Sequence, residues 1–244
     1  MTTTLAIFKR ELRGYFDTPL AYVFLVVFLS LSSFLSFRAG LYDARDANLL
    51  VFFQALPGLF ALLAPAIAMR MWSEERRTGS IELLLTLPVT VSQAVIGKFL
   101  AGWLFFGIAL LLTMPLVFTI SYLGDPDSGP IFTGYLGAFL MSGSYLAIGA
   151  FFSAMTKNQV IAFILAALAC GFFVFAGTPS LLGFLDSAGM PRGGVSFFES
   201  MSFLTQYDVM QRGVIELHNI FFMVAVSVGF LACCCVILNE KKAS

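Results

Sequence analysis

The chain has 244 residues, of which 59% are hydrophobic and only 11% charged, with a mean hydropathy of +0.91. Soluble domains run at about 45–50% apolar and about 25% charged, so these proportions exclude a water-soluble globular protein and imply an integral membrane one. Fourteen basic residues balance fourteen acidic ones, which removes any electrostatic case for nucleic-acid binding.

Residues 2–17 place Leu5, Phe8, Leu12 and Tyr15 or Phe16 three or four apart, with Lys9, Arg10, Glu11 and Arg13 on the other side. That spacing predicts a short amphipathic helix in the membrane interface. Asp17-Thr18-Pro19 ends it. The chain then continues into a long apolar stretch without a small-residue cleavage site, so no removable signal peptide is expected.

A membrane span needs about 20 mostly apolar residues. Six stretches meet or approach that length: 20–37, 49–69, 95–123, 131–155, 160–177 and 219–238. The third is too long for one upright helix, and Pro115 permits a kink in it, as Pro57 and Pro65 do in the second. The expected fold is therefore an all-α integral membrane protein with six transmembrane helices, forming one transmembrane domain over residues 1–244. Residues 156–159 leave room only for a tight turn, so the fourth and fifth spans should pair antiparallel. Spacings of small residues at Ser32/Ser36, Ala138/Ser142, Ala150/Ala154 and Ala162/Ala166 allow close helix contact.

Between the second and third spans lies the largest concentration of charge in the chain, residues 70–92. Glu74, Glu75, Arg76, Arg77 and Glu82 fall within nine residues, around a Thr78-Gly79-Ser80 break. Charge in hydrocarbon costs roughly 2.5–3.5 kcal/mol per residue, so this stretch must lie in water or at the interface. Ser80 can cap a helix over 81–87 with Glu82 in its first turn, and Pro88 would end or bend it. Physics alone supports two readings equally: a docking element for a soluble partner, or a solvated loop with a membrane-lying helix.

The basic residues set the expected orientation. With the N-terminus inside, the inner set is Lys9, Arg10, Arg13, Arg70, Arg76, Arg77, Lys98, Lys157, Lys241 and Lys242; only Arg38, Arg45, Arg192 and Arg212 fall outside. Both termini and the charged stretch are accordingly expected in the cytoplasm. The outer segment 178–217 is rich in Phe, Met and Leu but broken by Gly189, Pro191, Gly193 and Gly194. It predicts short, partly inserted external helices before the last span, buried against protein.

Residues for catalysis are absent. The single histidine, His218, cannot build a multi-histidine metal site, and the four cysteines at 170 and 233–235 lack CxxC spacing. No GxxxxGK[ST] loop, Ser/His/Asp set or HExxH occurs. The middle of each span carries no Asp, Glu, Lys or Arg, which argues against an ion-coupled pathway. Gln54, near the two prolines of the second span, is the candidate substrate-path residue, with simple interhelical hydrogen bonding as its competing reading. Any uphill transport must therefore draw its energy from another chain.

The run Glu74-Glu75-Arg76-Arg77-Thr78-Gly79-Ser80-Ile81-Glu82-Leu83-Leu84-Leu85-Thr86-Leu87-Pro88 resembles the signature of ABC-2 type permeases, the membrane subunits of one class of ABC exporters. Tyr15-Phe16-Asp17-Thr18-Pro19-Leu20-Ala21-Tyr22, and the segment containing Gln211-Arg212-Gly213-Val214-Ile215, resemble the gliding-motility-type branch. The resemblance implies a permease subunit in the bacterial inner membrane, not an enzyme, whose path is formed by the first, second and fifth helices. It implies a second permease subunit, identical or not, and two copies of a cytoplasmic ABC ATPase that carry the ATP and Mg. It leaves room for a periplasmic or membrane accessory protein, and it places no cofactor on this chain. Carried over, Glu74, Glu75, Arg76, Arg77, Gly79, Ser80 and Glu82 belong to the element that couples to the ATPase. The competing expectation is a scaffold or mechanical transmitter that uses ATPase input without moving substrate.

Overall fold

The computed structural model describes residues 2–38, 48–79 and 90–243. Every regular element among them is an α-helix. The helix expected over 81–87, with Ser80 and Glu82, lies outside the described residues. In chain order the helices are α1 (Thr2–Phe16), α2 (Pro19–Arg38), α3 (Leu50–Thr78), α4 (Val91–Leu111), α5 (Met114–Leu123) and α6 (Ser128–Met155). Then follow α7 (Gln159–Phe175), α8 (Pro179–Ser187), α9 (Arg192–Ser200), α10 (Phe203–Gln211) and α11 (Leu217–Ala243). Five of these segments are long and apolar enough to cross a membrane, counting α4 with α5 as one, or six if the bent pair α7–α8 is one span.

The core is built around α6. Its small residues let neighbours approach closely: Gly134 sits under Phe53 of α3, Gly137 under Tyr207 of α10, and Gly143 under the Trp103 indole of α4. Ala138, Ser142, Ala150 and Ala154 are fully buried on the same helix. Close backbone approach replaces the hydrophobic drive that lipid removes. A second cluster packs aromatic rings from α2, α3 and α4 face to face and edge to face, with Phe24, Phe28, Phe60, Phe105 and Phe106 at centroid separations of 5.4 to 6.3 Å. By contrast α2, α7 and α11 leave Val26, Leu168 and Phe221 exposed at 63%, 67% and 73%, as lipid-facing surfaces do.

One feature follows the sequence expectation and one departs from it. The long third stretch divides at Leu112–Thr113 into α4 and α5, because Pro115 has no N–H to give and its ring conflicts with the preceding turn. Residues 178–217 form three helices, and the expected burial holds only for the last. Neither α8 nor α9 has a buried residue, whereas α10 buries Phe203, Gln206, Tyr207, Met210 and Gln211. Gly189, at φ +80°, supplies the turn between α8 and α9 that other residues rarely adopt. α10 is held by Tyr207, whose hydroxyl donates to the Gly134 carbonyl at 3.1 Å, and by Thr133, whose hydroxyl donates to the Met210 carbonyl at 2.6 Å.

Candidate functional site

The charged stretch begins inside α3 rather than after it. The apolar part of α3 ends at Met69, and the last two turns carry Arg70, Glu74, Glu75, Arg76 and Arg77. Gly79, at φ +74°, closes the helix in the left-handed conformation, with Arg76 and Arg77 in the last turn, where the helix dipole favours cations. Arg70 and Glu74, one turn apart, pair at 2.8 Å. That hydrogen bond, followed by the charge of Arg70 itself, holds the Glu74 carboxyl below the usual range.

Ser153 of α6 fastens this end of α3 to the core. Its hydroxyl accepts from the N–H groups of Trp72 and Ser73, each at 3.1 Å, and donates to the Met69 carbonyl at 2.9 Å. One turn further along α3, the Arg76 guanidinium donates to the Ala154 carbonyl at 2.6 Å, one residue before α6 ends. The guanidinium thus caps a carbonyl of the last turn of α6, where helix carbonyls look outside the helix for donors. Changing Arg76 to Ala should lower thermal stability in detergent by about 1.5 kcal/mol, the lower end for a hydrogen bond to a charged group. Arg76→Lys should recover part of that loss, and an unchanged unfolding midpoint for Arg76→Ala would rule out the capping role.

The most buried charge lies next to this end. Lys98 of α4 is 3% exposed. Its ammonium stands 2.8 Å from a Glu75 oxygen, 3.5 Å from a Glu11 oxygen on α1, 3.0 Å from the Met71 carbonyl and 5.0 Å above the Trp72 ring. Two carboxylates, a carbonyl and an indole face together satisfy a cation that hydrocarbon could not hold alone. α4 reaches this position because Thr90 and Gln93 cap each other reciprocally and start the helix two turns before Lys98. α1 reaches it because Gly97 offers no side chain where Ile7 packs, 3.0 Å from the place a Cβ would occupy, and because Tyr15 stacks on Phe105 at 5.4 Å.

Among the sequence-predicted residues, Glu74, Glu75 and Arg76 are therefore half-buried in ion pairs and caps, while Arg77 and Gly79 are exposed at the tip. Beside the tip, a cavity of about 350 Å³ is lined by Arg77, Lys157, Asn158, Gln159 and Val160. Gln54 is exposed on a different part of α3, on the same face as Gly58 and Leu62. No group of three His, Cys, Asp or Glu side chains capable of holding a metal occurs among the described residues. Sequence reasoning passed over Lys98, Glu11, Trp72 and Ser153. Only Lys98 carried a readable signal, a lone cation two turns into an apolar helix, which demands a counter-charge.

The protein is a multi-pass helical protein whose charged α3 end packs against its core. Residues 32–243 match the family described as ABC-2 family transporter protein. The chain belongs to the ABC-2 transporter family. Its members are membrane transport components, not themselves catalytic, and generally work with a cytoplasmic ATPase. The match starts inside α2, so α1 and its Glu11 lie before it. No curated protein matches the sequence.

Proposed function

We propose that this ABC-2 chain is the permease subunit of an ATP-driven exporter in the bacterial inner membrane, with both termini cytoplasmic, and that a separate ATPase docks on residues 70–92. The observation that carries the reading is the double attachment of the α3 end. Ser153 and Arg76 tie it to α6, and Glu75 ties it through Lys98 to α4 and α1. A push on the exposed tip would move those helices as one body instead of bending a loop. In this reading Arg77 and Gly79, followed by Ser80 and Glu82, meet the ATPase, and the cavity with Arg77 and Lys157 takes acidic side chains of it. Glu74, Glu75 and Arg76 act behind that surface by holding it in place. Two such chains, or this one and a second permease, would enclose a path to which the exposed Gln54 face of α3 contributes. Similarity at the entry to α2 and around Gln211-Arg212-Gly213 supports placement in the gliding-motility-type branch, a placement of sequence and not of motility.

Reversing Glu75 would disrupt the buried Lys98 cluster, so a loss of binding would not report on docking. Arg77→Glu at the exposed tip, combined with Glu82→Arg, avoids that. Tagged protein extracted in mild detergent should bring down a nucleotide-binding ATPase, and the double variant should lose at least about tenfold of it while keeping its unfolding midpoint. If neither pull-down nor crosslinking recovers an ATPase with the native chain, the reading fails. ATPase activity that substrate does not stimulate would instead favour a mechanical transmitter.

A further inference from the structure

One face of α1 is spent on packing against α4, through Ile7, Tyr15 and Phe16. The other exposes Lys9, Arg10 and Arg13, a basic stripe at helical spacing. After the two-residue break at Asp17 and Thr18, α2 begins at Pro19 and presents Val23 and Val26 outward. The stripe is at most ten residues from that start, no more than about 15 Å of helix, which puts it at the level of lipid headgroups.

We propose that Lys9, Arg10 and Arg13 form a binding surface for anionic phospholipid headgroups, and that the bound lipid acts on the end of α3 through Glu11. A single oxygen of Glu11 is shared between two cations, exposed Arg10 at 2.7 Å and buried Lys98 at 3.5 Å. Guanidinium groups bind phosphate oxygens strongly and in bidentate fashion, and an anionic leaflet concentrates them at this depth. A headgroup that draws Arg10 away leaves Glu11 to Lys98 alone. The 3.5 Å contact then shortens, and α1 is clamped more firmly to the cluster that contains Glu75 and Met71 of α3. Lipid charge thereby sets how tightly the interfacial helix and the charged helix end move together.

Hydrogen exchange on the full chain in nanodiscs tests this without an ATPase, so its failure leaves the proposed function standing. Phosphatidylcholine nanodiscs are compared with ones containing phosphatidylglycerol. In the native protein, the anionic lipid should slow exchange over 70–79 and over α1 about fivefold, the effect of one basic residue at an anionic surface. Arg10→Gln should abolish the response at 70–79, and Arg10→Lys should keep part of it. Equal exchange in the two lipids, or an undiminished response in Arg10→Gln, overturns the proposal. So does the same slowing by soluble inorganic phosphate over neutral nanodiscs, which would mark an anion site and not a membrane surface.

Discussion

Lys98→Met is expected to be among the most damaging single changes in the chain outside its packing seams. The substitution keeps the length and apolar stem of the side chain but removes the cation faced by Glu75, Glu11 and the Met71 carbonyl. Breaking a buried ion pair from one side costs about 3–5 kcal/mol, because the remaining charge stays where water solvates it poorly. The lower end applies here, since Glu75 and Glu11 keep 19% and 24% of their side-chain surface. The same rule predicts the rescue. Lys98→Met combined with Glu75→Met replaces the pair with apolar volume and should recover more than half of the lost stability. Lys98→Arg should fall between, as a bulkier cation placed where a compact ammonium fits. Unfolding midpoints of the four proteins in detergent decide the matter. If Lys98→Met and the double variant are equally impaired, the ion pair is not what holds α4 to α3. The double variant also has a functional use, because it restores the fold without restoring the charge link. Should it remain stable yet fail to couple, the charges transmit motion as well as hold position.

Why Lys98 escaped sequence reading is a matter of distance along the chain. Its partners lie 23 residues before it, on the preceding helix, and 87 residues before it, on α1. No periodicity links Glu11 to Lys98; only the fold brings them together. The reverse holds for features written into neighbouring residues. The break at Asp17-Thr18-Pro19, the division near Pro115 and the stop at Gly79 each follow from one residue's backbone chemistry, and each is where local rules place it. The small-residue pairs Ser32/Ser36, Ala150/Ala154 and Ala162/Ala166 are likewise buried, because a seam between membrane helices needs small side chains whichever helix it faces. The burial of α10 and exposure of α8 and α9 were not legible, since all three are nine-residue helices flanked by turns. Tyr207 and Thr133 separate them, and the partners of those hydroxyls are carbonyls in another part of the chain.

Gly149→Ala should be equally severe, though it adds only a methyl group. A Cβ at this position would overlap the Ala68 methyl of α3, with the Pro65 and Ala68 Cα atoms behind it at 3.7 and 3.8 Å. A flexible side chain could move aside. A methyl on a helix cannot, so α3 and α6 must separate. Overpacking of this kind costs about 1–3 kcal/mol in ordinary cores. Here the cost should reach the top of that range, because the next turn depends on the same close approach. Ser153 lies four residues beyond Gly149, and its hydroxyl reaches the Met69, Trp72 and Ser73 backbone only while the helices stay in contact. Two comparisons isolate the cause. Gly171, with nothing within 4 Å of its Cβ position, should accept alanine with no loss, since alanine favours helix over glycine by about 1 kcal/mol. Ala68→Gly should rescue Gly149→Ala by moving the methyl from one helix to the other. Non-additivity then tests the link to the charged end. Ser153→Ala should cost about 1 kcal/mol or more in the native background and much less on top of Gly149→Ala, where its bonds are already stretched. Full additivity of the two changes would separate the packing seam from the hydrogen bonds beside it. Coupled losses would mean that the position of the α3 end is set two turns deeper, where α3 and α6 touch backbone to backbone.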